Sequence, residues 1–413
     1  MTPPRLARRL GTGDAVTIGL GSMIGAGVFA ALAPAARAAG AGLLAGLAIA
    51  AVVAYCNATS TARLAARYPS SGGTYVYGRE RLGPFWGHLA GWGFIVGKTA
   101  SCAAMALTVA TYALPDAARP VRAAVAVLAV LALTTVTCFG VRKSIAATRA
   151  MVAVVLVVLV LAVTAAATGG HTANLAWTPG TTSTFGVVQS AGLLFFAFAG
   201  YARVATLGEE VRDPARTIPR AVPLALAITL VVYTAVAVAT LAALGPAALA
   251  VTPDPLASAA APWPWLVPVI RVGAVVAALG SLLALILGVS RTTLAMARDG
   301  HLPRTLTAVH PRHQVPHHAE IAVGATVAVL AAVVDLRGAI GFSSFAVLVY
   351  YAIANASAWT LRADEGRPPR VVPATGLLGC LVLAAALPVD SVLIGAAVLA
   401  VGALLRLVRR ARV

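Results

Sequence analysis

One lysine sits in the middle of a long apolar run, in Val96-Gly97-Lys98-Thr99-Ala100-Ser101. A cation at the centre of a bilayer costs at least about 2.5–3.5 kcal/mol on insertion scales, so it must face a cavity or a partner. Two roles fit Lys98. It faces a substrate cavity, as a proton carrier or as a counter-charge for an anion, or it bonds helix carbonyls and is structural. Arg203 is the other cation inside an apolar stretch. Arginine keeps its charge, so it either snorkels to the surface or pairs with Glu209, Glu210 or Asp14 as an inner gate. No carboxylate stands at mid-depth in the apolar segments; Asp14, Glu80, Glu209, Glu210, Asp213 and Asp299 flank them.

Backbone chemistry is the second possibility. Gly19, Gly21, Gly25 and Gly27 fall within nine residues at the middle of the first apolar segment. Glycine costs about 1 kcal/mol against alanine inside a helix. A break at membrane depth is tolerated only where backbone lines a cavity or is buried in protein; close packing of small residues is the competing explanation. The sixth segment reads Phe195-Phe196-Ala197-Phe198-Ala199-Gly200-Tyr201 and carries a glycine between aromatics. Interrupted helices in corresponding positions of two halves are the pattern of a transporter binding site. Free N–H groups at one break attract a carboxylate, and unpaired carbonyls at the other accept from an ammonium. Two such breaks bind an α-amino acid without any charged side chain.

These groups need a membrane scaffold. Of 413 residues, 60% are hydrophobic and 11% charged, against about 25% charged in soluble domains. A bilayer core of about 30 Å takes roughly 20 apolar residues per helix. Twelve spans are predicted, at 14–37, 42–66, 85–113, 122–139, 145–168, 185–207, 220–244, 264–290, 319–334, 339–361, 371–387 and 391–407. The ninth and eleventh are short. The chain is an all-α polytopic membrane protein and a single transport domain over 1–413. Its first half is 1–168, its second 185–361, and two additional helices occupy 371–407.

The net charge of +18 can signal nucleic acid, but the basic residues lie in short runs between apolar segments, without the clustered cations of a phosphate-tracking groove. No nucleic-acid partner is expected. With the N-terminus cytoplasmic, 24 of the 31 Lys and Arg fall on the inner side, and Arg37, Arg119, Arg122, Arg271 and Arg337 on the outer. This asymmetry predicts cytoplasmic termini in a bacterial inner membrane. Cys56, Cys102, Cys138 and Cys380 lie in apolar stretches and suggest neither metal nor disulfide. His310, His313, His317 and His318 share a loop, read as a solvated basic loop rather than a metal site.

The chain resembles the amino acid–polyamine–organocation superfamily of permeases, close to the bacterial cationic-amino-acid-transporter-like branch. Three stretches carry the resemblance: Gly21 to Phe29; Tyr68 to Tyr77 followed by Gly91-Trp92; and Phe196 to Tyr201 followed by Glu209 to Pro219. The resemblance implies a five-plus-five inverted repeat with helices 1 and 6 broken, and proton-coupled uptake or exchange of an amino acid without a cofactor. It implies that the amides of Ile24, Gly25, Ala26 and Gly27 bind the substrate carboxylate. Met23 and Phe196, Ala197, Phe198 and Ala199, up to Gly200, offer carbonyls to the amine, with Phe198 an aromatic gate. Similar proteins often carry a lysine in the fifth span, where this chain has Val155; Lys98 is the candidate to replace it.

A cavity with lysine and no carboxylate disfavours cations, so neutral or acidic amino acids are the expected substrates. An integral-membrane enzyme would need clustered His, Asp or Glu at one membrane face, and a channel a ring-built filter; neither pattern is present. No G-x-x-x-x-G-K-[ST] motif occurs, so an ion gradient, first of all protons, is the expected energy source. Ser281, in Gly280-Ser281, faces either a sodium-like position or ordinary packing.

Overall fold

The computed structural model describes residues 10–69, 72–140, 145–176, 183–205 and 211–411. They are helical almost throughout. The membrane-length segments are α1 (Thr12–Met23) with α2 (Ala26–Ala30) and α3 (Leu32–Ala39), then α4 (Leu43–Arg67). After the short α5 (Thr74–Leu82) come α6 (Pro84–Ala113), α7 (Arg119–Cys138) and α8 (Ile145–Thr168). The next group is α9 (Thr184–Phe198), α10 (Ala202–Ala205), α11 (Pro214–Val251), the short α12 (Pro255–Ala259) and α13 (Leu266–Arg298). The chain ends with α14 (His317–Val333), α15 (Leu336–Trp359), α16 (Val371–Ala386) and α17 (Val389–Ala411).

Among the described residues ten helical spans are long and apolar enough to cross a membrane, and α14 and α16 are the two shorter apolar helices. These twelve are the twelve predicted spans. At 1.5 Å per residue the 17 residues of α14 reach only about 25 Å, which is why its sequence signal is weak. The predicted seventh span ends at 244. In the structure α11 runs on to Val251, but Gly245, at φ 72° and ψ 163°, kinks it there, so the predicted boundary falls on a real break. The predicted eighth span stops at 290, whereas α13 continues two more turns to Arg298.

Local chemistry sets the ends. Ser183 caps α9 by accepting the Gly186 N–H at 3.0 Å, and Asp335 caps α15 by accepting that of Gly338 at 3.1 Å. Pro84 and Pro214 open α6 and α11, where a missing N–H costs nothing. The connection after α4 holds a helix the span pattern does not predict. In α5, Thr74, Tyr75, Tyr77 and Gly78 are buried, while Arg79 and Arg81 reach partners at the rim.

The spans α6 and α15 are the most buried and form the centre, against each other and α13; α7 and α17 are the most lipid-exposed. Leu128, Val160 and Leu393 point outward. Lipid tails give no hydrophobic drive for helix association, so small residues and polar ties hold the centre. Ser101 and Ser343 share a hydrogen bond of 2.6 Å between α6 and α15. Asn355 donates to Asn57 Oδ1 at 2.6 Å, joining α15 to α4. The Arg212 N–H donates to the Leu10 carbonyl at 2.8 Å, tying the start of α1 to the segment before α11.

Candidate functional site

The first span is interrupted where its glycines concentrate. The Ile24 N–H still bonds Leu20 O at 2.7 Å, closing the last turn of α1. Ile24 then leaves helical geometry at ψ 52°, and Gly25, at φ −108° and ψ −138°, becomes the N-cap of α2. The first N–H groups of a helix lack intrahelical acceptors, so Gly25, Ala26 and Gly27 carry the amides available to an anion. Ile24 is a correction to the expected set: its amide is spent inside α1.

The sixth span changes at the predicted stretch as well. α9 ends at Phe198, a 3-10 turn covers Ala199–Tyr201, and α10 follows. The two interruptions touch. A methyl group on Gly27 would come within 2.6 Å of Ala197 Cα, and one on Gly200 would collide with the Ser22 carbonyl and the Met23 amide nitrogen. Backbones this close exclude any Cβ.

The carbonyls at this junction have partners that the sequence reading did not single out. Tyr233, on α11, has its hydroxyl within reach of both Met23 O and Ala197 O, the second at 3.0 Å, and shares its one proton between them. Tyr351, on α15, donates to Ala199 O at 3.3 Å. Lys98, 5% exposed, donates from Nζ to the same Ala199 O at 3.0 Å. Carbonyls at a helix C-terminus carry the negative end of its dipole, so the buried ammonium sits where α9 is most attractive to a cation. A signal for Tyr233 and Tyr351 existed: a tyrosine within an apolar span needs a partner for its hydroxyl. Phe198 is fully buried, edge-on to Tyr233 with centroids 5.1 Å apart.

The sequence profile described as amino acid permease matches residues 10–403. The chain belongs to the amino acid permease family. An uncharacterized transporter of Mycobacterium tuberculosis is 68% identical over 99% of this chain and 92% of its own length. A branched-chain amino acid permease of Bacillus subtilis is 27% identical over 92% of this chain and 88% of its own. A vacuolar cationic amino acid transporter of Arabidopsis thaliana is 30% identical over 81% of this chain and 60% of its own. These likenesses point to a transporter rather than an enzyme.

Other expected residues of the permease fall as follows. Val155 is buried in α8, among residues that face the first span: Val152 lies against Gly21. Ser281, on α13, is buried beside Gly25, and its Oγ has no hydrogen-bond partner among the described residues. Lys98, through its bond to Ala199 O, lies at the sixth-span break. Arg203 is half-buried on α10; Glu209 and Glu210 lie outside the described residues. Asp14 forms an ion pair with Arg149, so the structure links it to α8. The four histidines lie ring to ring around the start of α14, with His317 and His318 centroids at 4.3 Å. Among the described residues no group of three or more His, Cys, Asp or Glu could hold a metal ion.

Proposed function

We propose that this permease moves a neutral or acidic amino acid across a bacterial inner membrane by alternating access, coupled to protons. Its termini are placed in the cytoplasm. The observation that carries the reading is the contact of Gly27 with Ala197, which puts the free amides of one broken helix beside the carbonyl end of another. The substrate carboxylate takes the amides of Gly25, Ala26 and Gly27. Its ammonium takes the carbonyls of Met23, Ala197 and Ala199, now bonded to Tyr233, Tyr351 and Lys98. Phe198 and Tyr233 move together as the gate over that site. Helices α1 to α8 and α9 to α15 form the two inverted halves.

Lys98 supplies the selectivity and the coupling. Protonated, it occupies an ammonium position and repels a second cation. Displaced by the substrate amine, it releases its proton. The branched-chain substrate named for the Bacillus relative is of the neutral class; the cationic class named for the plant relative is the one this lysine opposes. Counterflow in proteoliposomes tests the reading. Preloaded unlabelled leucine or glutamate should drive accumulation of its labelled form, with arginine and lysine competing weakly. Absence of counterflow for every common amino acid, or arginine as best competitor, would overturn it.

A further inference from the structure

The segments assigned above to the outer side carry five arginines: Arg37, Arg119, Arg122, Arg271 and Arg337. Cations are scarce on the outer side of inner-membrane proteins, so each needs a reason. Arg271 has one: it pairs at 2.8 Å with the buried Asp254. The other four line a single cavity of about 300 Å³. Its one carboxylate, Asp335, is engaged in capping α15.

None of the four forms an ion pair among the described residues. Arg37 donates to Ala250 O at 3.2 Å and Arg119 to Val333 O at 2.9 Å, each capping the end of a helix. Those bonds hold the side chains in place, and four guanidinium groups against the single Asp335 carboxylate leave the cavity net positive. The Arg337 Nε is buried with no hydrogen-bond partner among the described residues, a donor that lacks an acceptor on a residue that lines the cavity.

The cavity also lies on the way to the helix breaks. Its wall includes Ala30, at the end of α2, five residues past Gly25 and so about 7.5 Å along the axis. Phe29, next to Ala30, and Tyr112, next to the lining residue Thr111, are both buried, and Tyr112 donates to Phe29 O at 3.1 Å.

We infer that this cavity is an outer anion-binding vestibule that captures the carboxylate of a dissolved substrate before the first and sixth spans receive it. Low-dielectric walls focus the field of the guanidinium groups and raise the local concentration of anions. The inference rests on the orientation and substrate class proposed above, but its test needs no transport.

The probe is a thiol. Ala33→Cys places one in the cavity wall, in a Cys138→Ser background, since the other three native cysteines are buried. The full chain is reconstituted in phosphatidylcholine, so that no anionic headgroup contributes. Labelling rates are compared for an anionic sulfonatoethyl and a cationic trimethylammonioethyl methanethiosulfonate, relative to a free thiol. The vestibule predicts a rate ratio shifted roughly tenfold toward the anion. High salt should collapse the shift, glutamate should slow labelling and lysine should not. Arg122→Gln with Arg337→Gln should return the ratio toward the free-thiol value; the salt arm needs no arginine substitution if that variant fails to fold. A ratio equal to the free thiol's, a ratio insensitive to salt, or a thiol reacting with neither reagent overturns the inference. Absent counterflow with a salt-sensitive anion preference would sink the transport reading alone.

Discussion

Lys98 Nζ lies 3.0 Å from the Ala199 carbonyl, so a cation of the third span occupies the interrupted end of the sixth. A merely structural tether and a coupling residue make the same contact but answer substitution differently. Replacing a buried ion by an apolar side chain of similar size is often neutral for stability, and Tyr351 remains bonded to the carbonyl. For Lys98→Met we expect an apparent melting temperature within a few degrees of the parent. The pH dependence of uptake should disappear, and weak competition by cationic amino acids should strengthen. Unchanged pH dependence, measured as uptake under an imposed proton gradient, would remove Lys98 from coupling.

Tyr233 joins the two interruptions through one hydroxyl that reaches Met23 O and Ala197 O. Tyr233→Phe keeps the ring against Phe198 and leaves two buried carbonyls without this donor. Loss of that one shared proton costs about 1–3 kcal/mol. The substrate-free protein should therefore melt lower than the parent. Substrate, by supplying an ammonium to the same carbonyls, should restore more of the loss than it adds to the parent. A thermal-shift series with and without amino acid measures both; an equal ligand-induced shift in the two proteins would argue against a shared site.

Gly27 admits no side chain because Ala197 stands in the space a methyl group needs. Gly27→Ala should push the two broken helices apart and reduce initial uptake rates by at least tenfold, since a displacement of about 1 Å at a binding constellation costs that much or more. Adding Ala197→Gly removes one of the two clashing atoms, the Cβ at 2.8 Å, but not the Cα at 2.6 Å. Partial recovery is the expected outcome. Equal uptake by the single variant and the parent would show that the close approach is not needed.

The breaks were legible because glycine is costly in a helix and the sequence concentrates it at Gly19–Gly27 and Gly200. The sequence does not disclose which amide is spent on α1's last turn, since that depends on where the backbone leaves helical torsions, between Ile24 and Gly25. Twelve spans could be counted from hydropathy, including the short α14 and α16. The helix α5 escaped that reading because its apolar and charged residues lie within nine positions, too few for a span. Tyr233 and Tyr351 were visible as residue types, but hydroxyl partners more than 30 positions away along the chain depend on how the helices assemble. Arg37, Arg119, Arg122 and Arg337 could be counted, yet their convergence on one cavity is a property of the folded chain.

Acid should weaken the face that carries α5 through two groups outside the spans. Glu365 accepts from Arg81 and from the Arg362 N–H, the latter at 2.9 Å. The Arg81 hydrogen bond, then the Arg362 N–H, hold its carboxyl down to about 2, below the ordinary 4.5. A depressed carboxylate contributes stability that is present above pH 4.5 and lost as pH falls toward about 2. His301, beside Tyr75 at 3.1 Å and edge-on to His88, is lowered to about 4 from 6.5, first by burial, then by Arg406 and His88. Its neutral form is favoured in the fold, so its contribution is full above pH 6.5 and declines as pH falls toward about 4. Apparent melting temperature against pH should therefore decline in two stages, below 6.5 and again below 4.5. His301→Gln should flatten the first and Glu365→Gln the second. A parent curve without slope between pH 6.5 and 4 would refute the role of His301, whatever happens at lower pH.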